Sequence, residues 1–367
     1  MTNFSISVTP LIDDDVMRVI LNKLKEFVPA VLDAAQSNSL LVRYHGDADG
    51  ISGALAIKKA LSQYYKTIYV QNNSPFYELP SALSDILWFP RSECPTVLII
   101  DFGSNKESEE ALNLLKANGF KILHIDHHPY TFDAKLSDMY VNPWLVGGES
   151  MHTAGMIAGE LAKLLGYPNA TNLQKISLSG DKSIFLKEEW KADADKASLV
   201  LDYLAATAEG KTRCIDVYEK ALLNKEMFNL IYAQANAEIE EVLFKIKDLA
   251  PKESNRGFKY VIVNLRPMIT NKKFPGRGAA AGIIFDKFKD ASPLVVVGHF
   301  DGVFSVRAND AATKVGFSAN EEIQKIKESL GDVVLSGGGH KCASSLRTTR
   351  ESEQIVVNEF SRRLSGA

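Results

Sequence analysis

Short apolar runs alternate with stretches of helical periodicity through the first part of the chain. Leu40–Tyr44, Thr67–Gln71, Thr96–Ile100 and Lys121–Ile125 read as buried strands, and Tyr140–Pro143 as a last short one. Between them lie segments with helical spacing. Val16–Ala35 places Val16, Ile20, Leu24 and Val28 on one face behind the capping run Asp13–Asp15, and Ile51–Leu61, Ser81–Trp88 and Lys106–Asn118 follow, with Gly119 placed to end the last. Strand and helix in alternation predict a mostly parallel sheet flanked by helices. Ligands of such sheets bind beyond the carboxyl ends of the strands.

After Pro143 the pattern turns helical. Ser150–Leu165 carries Ala154, Gly155, Ala158 and Gly159, small enough for close helix packing, and Ala170–Leu178, Lys187–Ala208 and Val217–Lys247 follow. The polar, Pro- and Gly-containing stretch Pro251–Gly257 marks a boundary. Beyond it Tyr260–Leu265, Pro293–Phe300 and Val303–Ala308 read as strands, Asp301-Gly302 as a hairpin turn, and Gly278–Phe288 and Asn320–Ser329 as helices. The expected architecture is therefore an α/β domain with a mostly parallel sheet (1–212), a helical linker (213–250) and a smaller α/β domain (251–367).

Composition is that of a soluble globular protein, 46% hydrophobic and 24% charged. No apolar run approaches the ~18 residues of a membrane span, and Met1–Ile6 lacks the basic-then-apolar pattern of a signal peptide. Cys94, Cys214 and Cys342 are odd in number and far apart, which argues against disulfides and zinc and for a reducing cytoplasm, each cysteine being read as a small buried residue. The net charge of -3 hides an asymmetry: residues 251–367 hold 18 Lys+Arg against 12 Asp+Glu, and residues 1–250 hold 24 against 33. An acidic part suits cations and a basic part suits phosphates.

The chemistry collects at strand ends. The first strand runs into His45-Gly46-Asp47-Ala48-Asp49-Gly50, the third into Asp101, and the fourth into Asp126-His127-His128. One aspartate at a strand end is an ordinary turn or cap, but no turn needs two consecutive histidines. With Asp181, these groups offer hard oxygens plus imidazole, the set that favours Mn²⁺ or Mg²⁺ over zinc. A pair of such ions about 3.5–4 Å apart neutralises charge developing on phosphorus. His45 is read as a further ligand, with contact to the leaving oxygen as the alternative, and His128 as a phosphate contact, while His124 is read as a packed core histidine and His152 as a helix-surface or capping one. In the basic domain, the Gly-rich stretch Ser336–Ala343 is read as a loop whose N–H groups nest an anion, with His340 and Lys341 as added donors. Arg307 is read as a phosphate clamp, and Lys272–Gly278, including Arg277, as a nucleic-acid contact.

Asp47-x-Asp49-Gly50, Asp101-Phe102-Gly103, Asp126-His127-His128 and Gly180-Asp181, followed by Gly337-Gly338-Gly339-His340, resemble the DHH phosphoesterase superfamily in its DHH–DHHA1 arrangement. Tyr44–Gly53 and Gly276–Gly282 are most similar to the compact archaeal RecJ-like exonucleases. The resemblance implies a dinuclear Mn²⁺ site (Mg²⁺ a substitute) on Asp47, Asp49, Asp101, His127 and Asp181 with His45 and His128 beside it, Asp126 completing the catalytic group. It also implies that the first domain is the catalytic one and that Arg307 and Gly337–His340 hold the nucleotide from the second, with the active site in the cleft between them. The expected activity is exonucleolytic release of mononucleotides from single-stranded DNA or RNA in replication or repair, with the GINS complex or a repair helicase as partner. Two alternatives are a nanoRNase or phosphoadenosine-phosphatase type enzyme, which shares both domains, and an inactive replisome scaffold.

Overall fold

The computed structural model describes residues 9–61, 67–89, 94–209, 214–269, 273–339 and 341–366. Lys272 and His340 lie outside them, as does Met1–Ile6. The chain divides into two compact units, 1–232 and 233–367.

In the first unit the elements run α1 (Asp15–Gln36), β1 (Leu40–His45), α2 (Ala48–Leu61), β2 (Ile68–Asn72), α3 (Leu79–Trp88), β3 (Thr96–Ile100), α4 (Glu109–Ala117), β4 (Lys121–Ile125), β5 (Met139–Val141), α5 (Ala154–Leu164), α6 (Thr171–Gly180), α7 (Glu188–Thr207) and α8 (Ile215–Leu223). Helix α9 (Lys225–Lys245) contains the division between the units. The expected single helix Val217–Lys247 is thus two, broken at Asn224, which ends α8 in extended backbone.

The five strands are all parallel, in the order β2-β1-β3-β4-β5. Their side chains alternate between two apolar layers. Leu40, Val42, Leu98, Ile100, Leu123 and Ile125 pack with α1, α2, α5 and α6, while Leu41, Val97, Ile99 and Ile122 pack with α3 and α4. Both faces are covered, which is why these strands read as continuous apolar runs. The Asp14 side chain accepts from Met17 N at 2.8 Å and starts α1. Because β2 lies on one side of β1 and β3 on the other, the chain reverses its direction of winding there. That switch point between β1 and β3 is where a ligand crevice is expected.

In the second unit β6 (Lys252–Glu253), β7 (Lys259–Asn264), α10 (Arg266–Ile269), α11 (Arg277–Phe288), β8 (Leu294–Phe300), β9 (Val303–Ala308), α12 (Asp310–Lys314), α13 (Ala319–Leu330), β10 (Val334–Gly339), β11 (Ala343–Thr348) and α14 (Glu353–Ser365) build a mixed sheet, ordered β10-β11-β9-β8-β7-β6. Only β7 and β8 run parallel. Strand β11 and helix α14 have no counterpart in the sequence expectation. The Asp301-Gly302 turn is present, both residues in left-handed backbone (φ 54° and 74°).

The glycine run is not a loop: Gly337–Gly339 belong to the edge strand β10, paired with β11. A Cβ on Gly337 would stand 2.8 Å from Ile323 Cγ2, and one on Gly339 (φ 140°) 2.6 Å from the Ala343 carbonyl. Close packing explains Gly337 and Gly339, whereas a Cβ on Gly338 would meet only Asn320 Oδ1 at 3.7 Å. The cysteines also depart from expectation, since Cys94 and Cys214 are exposed and Cys342 half-buried, all three as free thiols. No helix among the described residues is long and apolar enough to cross a membrane.

Candidate metal centre

The strand-end residues converge at the β1/β3 switch point. Asp101 lies at their centre, in left-handed backbone (φ 71°) as the chain leaves β3, with its N–H fixed to the Ile125 carbonyl at 2.9 Å. Its side chain is buried. Oδ1 faces His127 Nε2 at 3.3 Å and Oδ2 faces His45 Nδ1 at 3.5 Å. Around it the ligand atoms of His45, Asp47 and Asp101 lie within 4.8 Å of one another, as do those of Asp49, His127 and Asp181 and those of Asp101, Asp126, His127 and His128. His127 Nε2 closes the second of these groups, 3.1 Å from Asp181 Oδ2 and 3.8 Å from Asp49 Oδ2.

Neighbours orient these groups. His127 Nδ1 lies 2.6 Å from the Ser150 carbonyl, which can only accept, so Nδ1 carries a proton and Nε2, the ring atom turned to the carboxylates, is the one left to bind a cation. Asp126 Oδ1 accepts from His127 N (2.8 Å), His128 N (3.3 Å) and His128 Nδ1 (2.8 Å). It aims the half-exposed His128 ring with Nε2 outward. Asp49 sits in the first turn of α2, where Ala154 N (3.0 Å), Gly155 N (2.9 Å) and Ser177 Oγ donate to it. The α5 N-terminus and its partial positive charge therefore hold this carboxylate. Asp47 Oδ1 accepts from Gly50 N at 3.0 Å, and Oδ2 lies 2.6 Å from His45 Nδ1.

Four buried carboxylate oxygens of this cluster, both of Asp101 and the Oδ2 atoms of Asp126 and Asp181, accept no hydrogen bond among the described residues. Buried acceptors left in this state cost free energy unless a cation or proton satisfies them. Burial, then the charges of Asp47 and Asp49, hold Asp101 well above the ordinary carboxylate range. Asp181 is raised by burial and by the same cluster, and Asp49 by burial and Asp47. For Asp47 and Asp126 burial also opposes ionisation, but His45 and His128 respectively outweigh it and leave both below that range. Burial disfavours the His127 imidazolium, yet Asp181 and Asp101 hold its pKa well above the ordinary value. Crowded carboxylates gathered around one imidazole nitrogen fit a pair of divalent cations. The fit is to the donor set and to the unmet oxygens together.

Two residues of this region escaped the sequence reading. Asp202 of α7 accepts from Ala48 N at 2.8 Å, between Asp47 and Asp49, and burial followed by the Asp47 charge pushes its pKa up to about 7. Ser177 of α6 is the other. Neither stands at a strand end or carries a local motif. His124 is buried as expected, with Nε2 on the Phe102 carbonyl at 2.7 Å. His152, expected on a helix surface or at a cap, is instead buried, with Nε2 2.8 Å from Oδ2 of the α1 capping residue Asp14.

In the second unit Arg307 on β9 is half-buried, and its only side-chain hydrogen bond among the described residues runs from Nη1 to the Val306 carbonyl at 3.3 Å. Burial alone lowers its pKa, with no carboxylate among the described residues to compensate. Nη2 comes within 3.5 Å of where a Gly278 Cβ would stand, beside the α11 N-terminus, which has no side-chain cap. Arg277 begins that helix. Ala343 pairs with Arg307 and Gly339 with Ser344, so the end of the glycine run lies two strands from Arg307. His340, expected beside it, lies outside the described residues.

Residues 39–179 match the model of the DHH family, N-terminal domain. The chain is 24% identical over 400 residues to an uncharacterized protein of Methanocaldococcus jannaschii, the match covering 92% of this chain and 52% of that protein. It thus spans about half the length of the curated relative it matches. Among solved structures, the DHH domain of a protein described as a member of a ribosomal-protein family is similar with a TM-score of 0.86 at 24% identity, over 98% of this chain and 94% of that one. RecJ from Thermus thermophilus, solved in complex with Mn²⁺, gives 0.62 at 17% identity, over 99% and 56%. CDC45 from Entamoeba histolytica gives 0.58 at 9% identity, over 95% and 99%. At these identities the likeness concerns the fold.

Proposed function

Since the chain belongs to the DHH superfamily, with residues 39–179 as its N-terminal domain and a RecJ-like fold, we propose that it is a metal-dependent exonuclease of single-stranded DNA or RNA. The observation that carries this reading is Asp101, whose two unmet, buried oxygens face His127 on one side and His45 on the other. Asp47, His45 and Asp101 would hold one cation, and Asp49, His127, Asp181 and Asp101 the other. Bound there, two divalent cations supply Lewis-acid stabilisation of charge on phosphorus and lower the pKa of water. The imidazole ligands favour Mn²⁺, with Mg²⁺ as a substitute.

The chain's own groups do the positioning. His127 keeps its proton on Nδ1 through Ser150, and Asp126 holds His128 with a nitrogen free to meet a phosphoryl oxygen. In the second unit the Arg307 guanidinium, the α11 N-terminus and Gly337–His340 are proposed to hold the phosphate chain. A half-buried arginine with no carboxylate partner among the described residues is costly to the fold and is suited to a doubly hydrogen-bonded phosphate. Arg307→Ala is expected to weaken oligonucleotide binding about tenfold or more while leaving Mn²⁺ binding unchanged. An unaltered oligonucleotide affinity in anisotropy titrations would remove Arg307 from the site.

The direct test is digestion of 5′- and 3′-labelled DNA and RNA single strands with Mn²⁺, resolved by length. A stepwise ladder that EDTA stops is expected. A rate that collapses above a few nucleotides would instead make this a nanoRNase or phosphatase of short oligomers. A chain that binds Mn²⁺ but cuts nothing would make it a scaffold, the reading that the CDC45 fold likeness favours. The complete, inward-facing ligand set argues for the enzyme, because a scaffold has no need of carboxylates that destabilise it. A replication or repair partner (GINS or a helicase) and a cytoplasmic setting belong to the same proposal.

A further inference from the structure

Where two central strands of the second unit's sheet end, two arginines flank a single aromatic ring and a third pairs with the aspartate beside it. Strands β7 and β8 run parallel and end side by side, Asn264 opposite His299. Arg266 follows β7, Phe300 ends β8, and Arg277 opens α11. The guanidinium carbons of Arg266 and Arg277 lie 5.0 and 5.2 Å from the centre of the half-buried Phe300 ring. Arg350 joins them through Asp301, its Nε 3.4 Å from Oδ1, while Arg277 Nη2 stands 3.6 Å from Oδ2. The hairpin beneath is fixed. Glu353 accepts from Gly302 N at 2.9 Å, and its other oxygen lies 2.6 Å from His299 Nδ1, so this carboxylate is committed to the scaffold. The Arg350 side chain is 62% exposed, open to a ligand.

Resting on the nuclease reading above, we propose that Arg266, Arg277, Phe300 and Arg350 form a second contact for single-stranded nucleic acid, beyond the phosphate held at Arg307. Arg277 and Gly278 join the two places in sequence, since Gly278 adjoins the Arg307 guanidinium. Planar guanidinium groups beside a ring present N–H edges to phosphate and leave flat surface on which a base can stack. An acidic peptide would use the charges but has no use for the ring. The consequence is a preference for length: a dinucleotide reaches Arg307 alone, and a longer strand reaches both places.

The test reads binding by the full chain in EDTA, so that no cleavage intervenes, using fluorescence anisotropy with a labelled oligothymidylate dodecamer and dinucleotide. The double variant Arg266→Ala/Arg350→Ala should lose about tenfold or more in dodecamer affinity and flatten its salt dependence by roughly 0.7 for each phosphate contact removed. Its dinucleotide affinity should match that of the unaltered chain, whereas Arg307→Ala should weaken both. Phe300→Leu, which keeps the bulk, should weaken the dodecamer more than an abasic strand of equal length. Equal losses at both lengths, no loss at either, or competition by polyglutamate as strong as by the dodecamer would overturn the proposal. An unchanged melting temperature guards against misfolding of the double variant. A chain that shows this length rule but hydrolyses nothing would sink the nuclease reading and leave this surface standing.

Discussion

Asp101→Asn is expected to abolish hydrolysis while making the ion-free protein more stable. Asparagine keeps the shape of the side chain and tolerates the left-handed backbone at this position. It removes the negative charge between the two ligand groups, a loss of about 10³-fold or more if the site works as preorganised electrostatics. Without cations, Asp101, Asp181 and Asp49 sit above the ordinary carboxylate range, chiefly through burial. The unfolded chain ionises them first, so stability falls as pH rises through the ordinary carboxylate range toward the raised values. His127 and His45, raised by carboxylates that outweigh burial, contribute stability below the ordinary histidine value that is lost as pH climbs through their own. Both trends weaken the ion-free protein toward neutral and alkaline pH, and Mn²⁺ should reverse them by binding the folded state alone. Relieving one repulsive charge should raise the ion-free melting temperature by roughly 2–4 °C for each kcal/mol regained. Melting curves in EDTA and in Mn²⁺, from weakly acidic to alkaline pH, check all of this. A variant that melts lower than the unaltered chain in EDTA, or gains as much from Mn²⁺, would show that Asp101 is not a ligand.

What could be read from the sequence followed from what each residue does locally. β1, β3 and β4 were legible because a parallel strand covered on both faces is a plain apolar run. Asp47, Asp101 and Asp126-His127-His128 were legible because polar ligands stand out where such a run stops. Ser177, Asp202 and the α5 N-terminus were not, because their part in the site exists only after α2, α5, α6 and α7 pack together. Ala154 and Gly155 read merely as small residues suited to helix packing, although they bind Asp49 through their backbone. The Gly337–Gly339 strand went unseen for another reason. Glycine carries no strand preference of its own, and the pressure for glycine comes from Ile323 and Ala343 across the fold. Asn224 likewise gives no local sign that it separates α8 from α9.

Gly155→Ala is expected to lower both stability and metal affinity without touching a single proposed ligand. Gly155 lies where α5 meets the start of α2, and a Cβ there would stand 2.3 Å from the Asp49 carbonyl oxygen, 2.8 Å from Asp49 Oδ1 and 3.0 Å from Gly53 N. Two of these neighbours are backbone and cannot swing aside, so α5 must move away from α2. That movement withdraws the Ala154 and Gly155 N–H groups that fix the Asp49 carboxylate. Overpacking of this kind costs about 3 kcal/mol, a fall of roughly 6–12 °C in the melting temperature of the first unit, residues 1–232. Losing the groups that orient a ligand should weaken Mn²⁺ about 10–100-fold. Gly282→Ala on α11 is the matched control, because nothing lies within 4 Å of its Cβ position. It should be neutral or stabilising by up to about 1 kcal/mol. Melting curves and calorimetric Mn²⁺ titrations of both variants decide the matter. If Gly155→Ala melts and binds Mn²⁺ as the unaltered chain does, the contact between α2 and α5 does not set the position of Asp49, and the packing origin of the site falls with it.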